Sequence, residues 1–190
     1  LASTGSLAYL LAALDGLTGG HPVAQLALVG WAGSHVVAGA AGFGTPVALA
    51  APLLVGLGVD PAAAIVAAAS LNAHATAFGA AGTPIAYGFA PVGVDEAGLA
   101  AIGRRAAVLV ALPIVVGVPA AAVAAVTGWR AVRASGWYLA AVGASFAGPL
   151  VGVACLGYEF PTLIGGVVCL AATVLLTHFK VGLAEWVPPP

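Results

Sequence analysis

The feature that most constrains this chain is the absence of charge over membrane-length stretches. No Asp, Glu, Lys or Arg occurs between Asp15 and Asp60, between Asp60 and Asp95, or between Arg105 and Arg130. The hydrocarbon core of a bilayer, about 30 Å thick, offers no partner for a backbone amide or carbonyl, so apolar runs of about 20 residues cross it as helices. Only 6% of the 190 residues are charged and 62% are hydrophobic, whereas soluble domains are about 25% charged. A β-barrel needs segments of about ten residues with a polar inward face, and the Ala, Leu, Val and Gly runs here do not alternate. The expected fold class is an all-α membrane protein, with polytopic transmembrane helices and two broken or re-entrant segments.

The same inventory excludes several functions. A net charge of −1 without basic clusters argues against a nucleic-acid partner. No metal cluster, Ser/His/Asp set, phosphate loop or pair of carboxylates is visible, so neither an enzyme nor a bound cofactor or metal is expected. Cys155 and Cys169 lie in apolar runs without CxxC or Cys/His spacing, and read as two buried free thiols. The chain contains no Met and starts at Leu1, and is expected to be a piece of a longer protein whose remainder is its partner.

Residues 1–21 read as a short interfacial helix, residues 22–90 as a broken-helix substrate region, and residues 91–190 as three further transmembrane helices. Within the second region, Pro22 to Gly39 is a candidate span, and Thr45 to Gly56 a helix of a dozen residues opened by a Thr cap. At about 1.5 Å per residue this helix covers about half the bilayer. Ala62 to Phe78 follows as another apolar run. In the third region Ala106 to Val126 is a span flanked by Arg104 and Arg105, with Pro113 and Pro119 as kinks. Trp137–Cys155 and Leu163–Thr177 form a final hairpin. Trp129, Trp137, Tyr138, Tyr158 and Trp186 are placed as interfacial aromatics, and Arg130, Arg133 and Lys180 on one side, the cytoplasm.

The two breaks are written in the same words. "GAAGFGTP" runs from Gly39 to Pro46, and "AFGAAGTP" from Ala77 to Pro84. Gly lets the backbone leave helical geometry, and Pro restarts a helix without wasting an amide proton. Non-helical backbone at membrane depth is tolerated only where it is buried in protein or lines a cavity, and paired breaks point to a transporter site. The amino ends of half-helices starting at Thr45 and Thr83 favour an anion. Small-residue packing between helices and Thr capping are the structural alternatives. Asn72 serves either a ligand or an interhelical hydrogen bond. His35 and His74, the titratable side chains inside this region, are candidates for proton coupling.

The run from Gly39 to Ile85 resembles the signature region of the L-lactate permease family. The likeness extends to "LALVGWAGSHVVAG" before it and "TGWRAVRASGWYLAAVGASFAG" after it. It implies a plasma-membrane, multi-pass secondary carrier for L-lactate and glycolate, coupled to protons. The substrate-binding residues it suggests are Gly42, Phe43, Gly44, Thr45, Asn72, Gly82 and Thr83, with Pro46, Phe78, Gly79 and Pro84 shaping the breaks. The family resembled usually has a glutamate just before "GAAGFG"; here that position is Ala38, which shifts attention to His35 one turn earlier and to His74. The chain resembles roughly the first half of such permeases. The expected function is therefore proton-coupled transport of a small monocarboxylate across the bilayer. A sodium-coupled carrier for another anion and a non-transporting membrane subunit are the alternatives.

Overall fold

A computed structural model describes residues 5–42 and 44–185. Phe43 and Trp186 lie outside the described residues. The chain forms α1 (Ser6–Thr18), α2 (Pro22–Gln25), a π-helix (Leu26–Gly33), α3 (Ser34–Ala41), α4 (Thr45–Gly56) and α5 (Pro61–Asn72). A 3₁₀ turn (Ala73–Phe78) leads into α6 (Gly79–Phe89), followed by α7 (Glu96–Val116), α8 (Val118–Thr127), α9 (Trp129–Ala134), α10 (Gly136–Ala154) and α11 (Pro161–His178).

Among the described residues, four helical stretches are long and apolar enough to cross a membrane: Pro22–Ala41, Glu96–Thr127, Gly136–Ala154 and Pro161–His178. The first runs through the middle of the bundle, with 78% of its apolar window buried against 29–44% for the other three. α11 and α10 form a hairpin, α11 packs on α3, and α10 packs on α7. α4 lies on α5, which packs in turn on α8. The core contains Trp31, Leu54, Leu71, Phe78, Tyr138 and Phe146. Outward positions such as Leu109 and Leu112 on α7, or Val167 and Leu175 on α11, remain exposed and apolar, as suits helices surrounded by hydrocarbon.

Helix starts are fixed by identifiable caps. Asp60 Oδ1 accepts from Ala62 N and Ala63 N, both at 3.0 Å, at the start of α5. Asp95 Oδ1 accepts from Gly98 N at 2.9 Å at the start of α7. That second cap extends the helix ten residues before the expected Ala106, so Arg104 and Arg105 lie within α7 instead of flanking it. The interruption in this long span falls at Gly117, and Pro113 is accommodated inside α7. The final hairpin follows the expected bounds closely. Its far end is pinned where Gly182 packs against Trp137 and Tyr138, and Ala184 N donates to Ser135 Oγ at 3.4 Å.

Three local expectations are corrected by packing. Cys155 is exposed at the end of α10, whereas Cys169 is buried. Of the aromatics expected at the interface, Trp129 and Trp137 are exposed, but Tyr158 is buried and Tyr138 fully so, because its hydroxyl meets Thr177 Oγ1 at 2.8 Å. Thr45 does not cap α4: it is the first helical residue, Gly44 is the N-cap, and no side chain caps that end.

Candidate functional site

Both breaks form, and they meet. α3 ends at Ala41, and Gly42 takes φ 89°, ψ 170°, a conformation open to glycine. A methyl group on Gly42 would lie 3.6 Å from the Ala80 side chain, so the first break touches the second. The second break is longer than the sequence suggests. α5 stops at Asn72 instead of running to Phe78, a 3₁₀ turn follows, and the chain bends by 64° before continuing. Ala80, Ala81 and Gly82 are then all left-handed, with φ of 46°, 54° and 75°. Left-handed alanines cost about 1–2 kcal/mol each, so the surrounding packing must hold this turn. Part of that hold is visible: Thr83 Oγ1 donates to the Ala80 carbonyl, and Gly82 sits against the Tyr158 carbonyl in the α10–α11 loop, where an added Cβ would be only 2.6 Å from that oxygen.

The two breaks therefore share one end of the bundle with the α10–α11 loop. Gly39, just before the first break, packs against the Leu163 main chain near the start of α11, and a Cβ added there would stand 2.5 Å from Leu163 Cα. Thr45 and Thr83 are exposed, while Asn72 and Gly82 are buried. The amino end of α4 thus presents its first-turn amides at this end of the bundle without a side-chain cap, an arrangement that favours a negative group.

Beneath the breaks lies His35, fully buried. The π-helix that precedes it is a rare element concentrated at functional sites, and it delivers Trp31 and His35 to the same interior position. The imidazole packs between Trp31, with ring centres 4.4 Å apart, and Phe146 of α10, at 4.2 Å. Its Nδ1 is 2.8 Å from the Trp31 carbonyl. A carbonyl only accepts, so Nδ1 carries the proton and Nε2 presents a lone pair. Among the described residues that Nε2 finds no hydrogen-bond partner, and leaving a buried acceptor unmatched costs about 1–3 kcal/mol. Gly166 of α11 makes this approach possible, because a Cβ there would meet Val36 N at 2.7 Å and the His35 carbonyl carbon at 2.9 Å. His74 is half-buried in the 3₁₀ turn, within electrostatic reach of His35. Ala38, where the resemblance leads one to expect an acid, is buried one turn after His35.

The structure thus gathers Gly42, Ala80, Gly82 and Thr83 at the meeting breaks, and sets His35 and His74 near one another. Sequence reasoning missed Trp31 and Phe146, whose indole and phenyl rings enclose His35. Their only signal was a Trp four residues before a His in an uncharged span. Among the described residues, no group of three or more His, Cys, Asp or Glu is placed to hold a metal ion.

Comparison with known proteins finds relatives along most of the chain. The L-lactate permease family model matches residues 2–185. The chain is 33% identical over 165 residues to the L-lactate permease of Salmonella typhimurium, covering 86% of this chain and 28% of that protein. The L-lactate permease of Escherichia coli is 32% identical over 165 residues, with the same two coverages. The glycolate permease GlcA of Escherichia coli is 39% identical over 125 residues, covering 65% of this chain and 21% of that protein. The chain spans less than a third of the length of the curated relatives it matches. No solved structure matches it. With the family model matched over nearly all its residues and the relatives aligned along most of its length, the chain belongs to the L-lactate permease family.

Proposed function

We propose that this chain forms part of a secondary carrier that moves a small monocarboxylate, L-lactate or glycolate, across the plasma membrane together with a proton. The observation that carries the reading is the contact between the two breaks, Gly42 against Ala80, beside the uncapped amino end of α4. A carboxylate needs donors in a place sheltered from lipid, and backbone amides released from helical pairing supply them. Gly42, Phe43, Gly44, Thr45, Asn72, Gly82 and Thr83 are assigned to the substrate. His35 and His74 are assigned to the proton, since an imidazole changes charge near neutral pH. The names of the relatives support the substrate class: L-lactate for two of them and glycolate for a third.

The test uses the full-length parent protein in cells lacking other lactate uptake. Thr45→Val and Asn72→Leu are expected to lower the initial rate of labelled lactate uptake while membrane expression stays at the parental level. Parental uptake by both variants would overturn the substrate assignment.

A further inference from the structure

α7 carries two adjacent arginines within a membrane-length stretch, on the side turned away from the bundle. Glu96–Thr127 covers 32 residues, about 48 Å for an α-helix, against a hydrocarbon core of about 30 Å. Its uncharged part begins after Arg105, so the surplus length stands at the start of α7 and the arginines fall at the edge of the core. Packing fixes the same height: Gly103 lies against Tyr158 of the α10–α11 loop, where an added Cβ would be 2.8 Å from Tyr158 Cβ. Gly103 and Ala107 are buried, whereas Arg104 and Arg105 are exposed, and so are Val108, Leu109 and Leu112 in the next two turns. Arg104 stands over Val108 and Arg105 over Leu109 at one-turn spacing, and these four residues line a surface groove of about 480 Å³. Side chains on a helix lean toward its amino end, which here is the end leaving the hydrocarbon. Each guanidinium is therefore carried toward the headgroups while its stem lies on the apolar stripe. The carboxylates of this end are engaged elsewhere: Asp95 caps α7 through Gly98 N, and Glu96 and Glu159 act on Tyr158. Among the described residues neither arginine forms an ion pair.

We propose that this face of α7 seats an anionic phospholipid, its phosphodiester on Arg104 and Arg105 and an acyl chain along Val108, Leu109 and Leu112. Two positive charges at headgroup height, left unneutralised by the protein and set directly above exposed apolar side chains, match a molecule with a negative head and hydrocarbon tails. A guanidinium presents paired N–H donors to phosphate oxygens, so the arginines hold the head by directed hydrogen bonds as well as by charge. A zwitterionic phospholipid has the same phosphate and chains, but its own cation offsets the attraction. The inference rests on the span and its arginines, and is independent of what the carrier moves.

The experiment places a reporter at the site in the full-length parent, reconstituted in vesicles of phosphatidylcholine and phosphatidylglycerol. Leu112→Trp sets an indole on the exposed face below the arginines, and its fluorescence, taken as the difference from the parent, is quenched by whichever of the two lipids carries brominated acyl chains. One basic side chain near the membrane surface strengthens contact with an anionic lipid about fivefold, so phosphatidylglycerol should be preferred at the reporter by about twentyfold. Arg104→Gln combined with Arg105→Gln should bring the two lipids to within about twofold of parity, whereas the Arg104→Lys and Arg105→Lys pair, which keeps the charge, should retain most of the preference. Inorganic phosphate added at constant ionic strength should leave it unchanged. Equal quenching by the two lipids with both arginines present overturns the proposal, as does a preference that survives the Gln pair. Loss of the preference on adding phosphate overturns it in favour of a site for free anions. Quenching by neither lipid overturns it too, because the face is then covered by protein, either another segment of the parent or a second copy.

Discussion

Gly166→Ala is the substitution whose outcome follows most directly from the packing around His35. A Cβ at Gly166 would stand 2.7 Å from Val36 N and 2.9 Å from the His35 carbonyl carbon. Both are main-chain atoms, so neither swings aside as a side chain does. Recovering ordinary contacts of about 3.5–4.0 Å moves α11 away from α3 by roughly 1 Å. Overpacking of this kind costs about 1–3 kcal/mol, against a gain of up to about 1 kcal/mol from replacing a helical Gly with Ala. Gly152→Ala supplies the reference. That residue lies on an exposed face of α10 with nothing within 4 Å of an added Cβ, so it receives the propensity gain without the clash. The difference between the two variants isolates the steric cost. A unit of roughly 150–250 residues shifts by about 2–4 °C per kcal/mol and a longer chain by less, so thermal unfolding of the detergent-solubilised full-length parent should place Gly166→Ala a few degrees below Gly152→Ala. Uptake should fall as well, because the displaced atoms are the main chain of His35. Equal midpoints for the two variants would refute the close α3–α11 crossing and the confinement of His35 that depends on it.

Other consequences are more local. Gly82→Ala adds a left-handed penalty of about 1–2 kcal/mol to a Cβ placed 2.6 Å from the Tyr158 carbonyl, and should lower the unfolding midpoint of the parent by several degrees; no change would mean that the turn is not held by the α10–α11 loop. Tyr138→Phe leaves buried Thr177 without its 2.8 Å partner and should cost about 1–3 kcal/mol, measured as a loss of thermal stability that the double variant with Thr177→Val largely relieves. His21 caps α2 by accepting from Val23 N at 3.2 Å, and Nε2 donates to the Ala184 carbonyl at 3.2 Å. Burial pushes its pKa below the usual 6.5, against smaller opposing effects of its backbone hydrogen bonds. The neutral ring is the stable folded form, so its contribution is complete above pH 6.5 and is lost as pH falls below that value toward the lowered folded pKa. A midpoint that declines across this window in the parent should decline less in His21→Asn, and identical pH profiles would remove His21 from the account.

Much of the architecture was legible because charge and aromatic residues punctuate the apolar runs. The last hairpin was expected at Trp137–Cys155 and Leu163–Thr177 and occurs at Gly136–Ala154 and Pro161–His178. The same punctuation misled at Arg104 and Arg105: two arginines look like the edge of a span, yet the cap at Asp95 starts α7 well before them. The π-helix over Leu26–Gly33 left no mark in the sequence, since its residues would serve an α-helix equally well. The left-handed Ala80 and Ala81 were also hidden, because alanine's own preference is opposite and only tertiary packing imposes that turn. For the site, the two glycine-rich breaks were visible as a pair, and their contact was not. His35 stood out as a histidine in an uncharged helix. The rings that enclose it, Trp31 and Phe146, come from positions 115 residues apart and meet only once Gly165 and Gly166 let α11 into the bundle.

On the proposed function, the meeting breaks and His35 serve movement of a monocarboxylate with a proton. This is tested most directly by adding L-lactate outside vesicles that contain the full-length parent and following the external pH. Alkalinisation outside is expected, as protons enter with lactate, and it should be lost when His35 is replaced by Gln. Lactate entry with no change in external pH, or unchanged alkalinisation in His35→Gln, would contradict it.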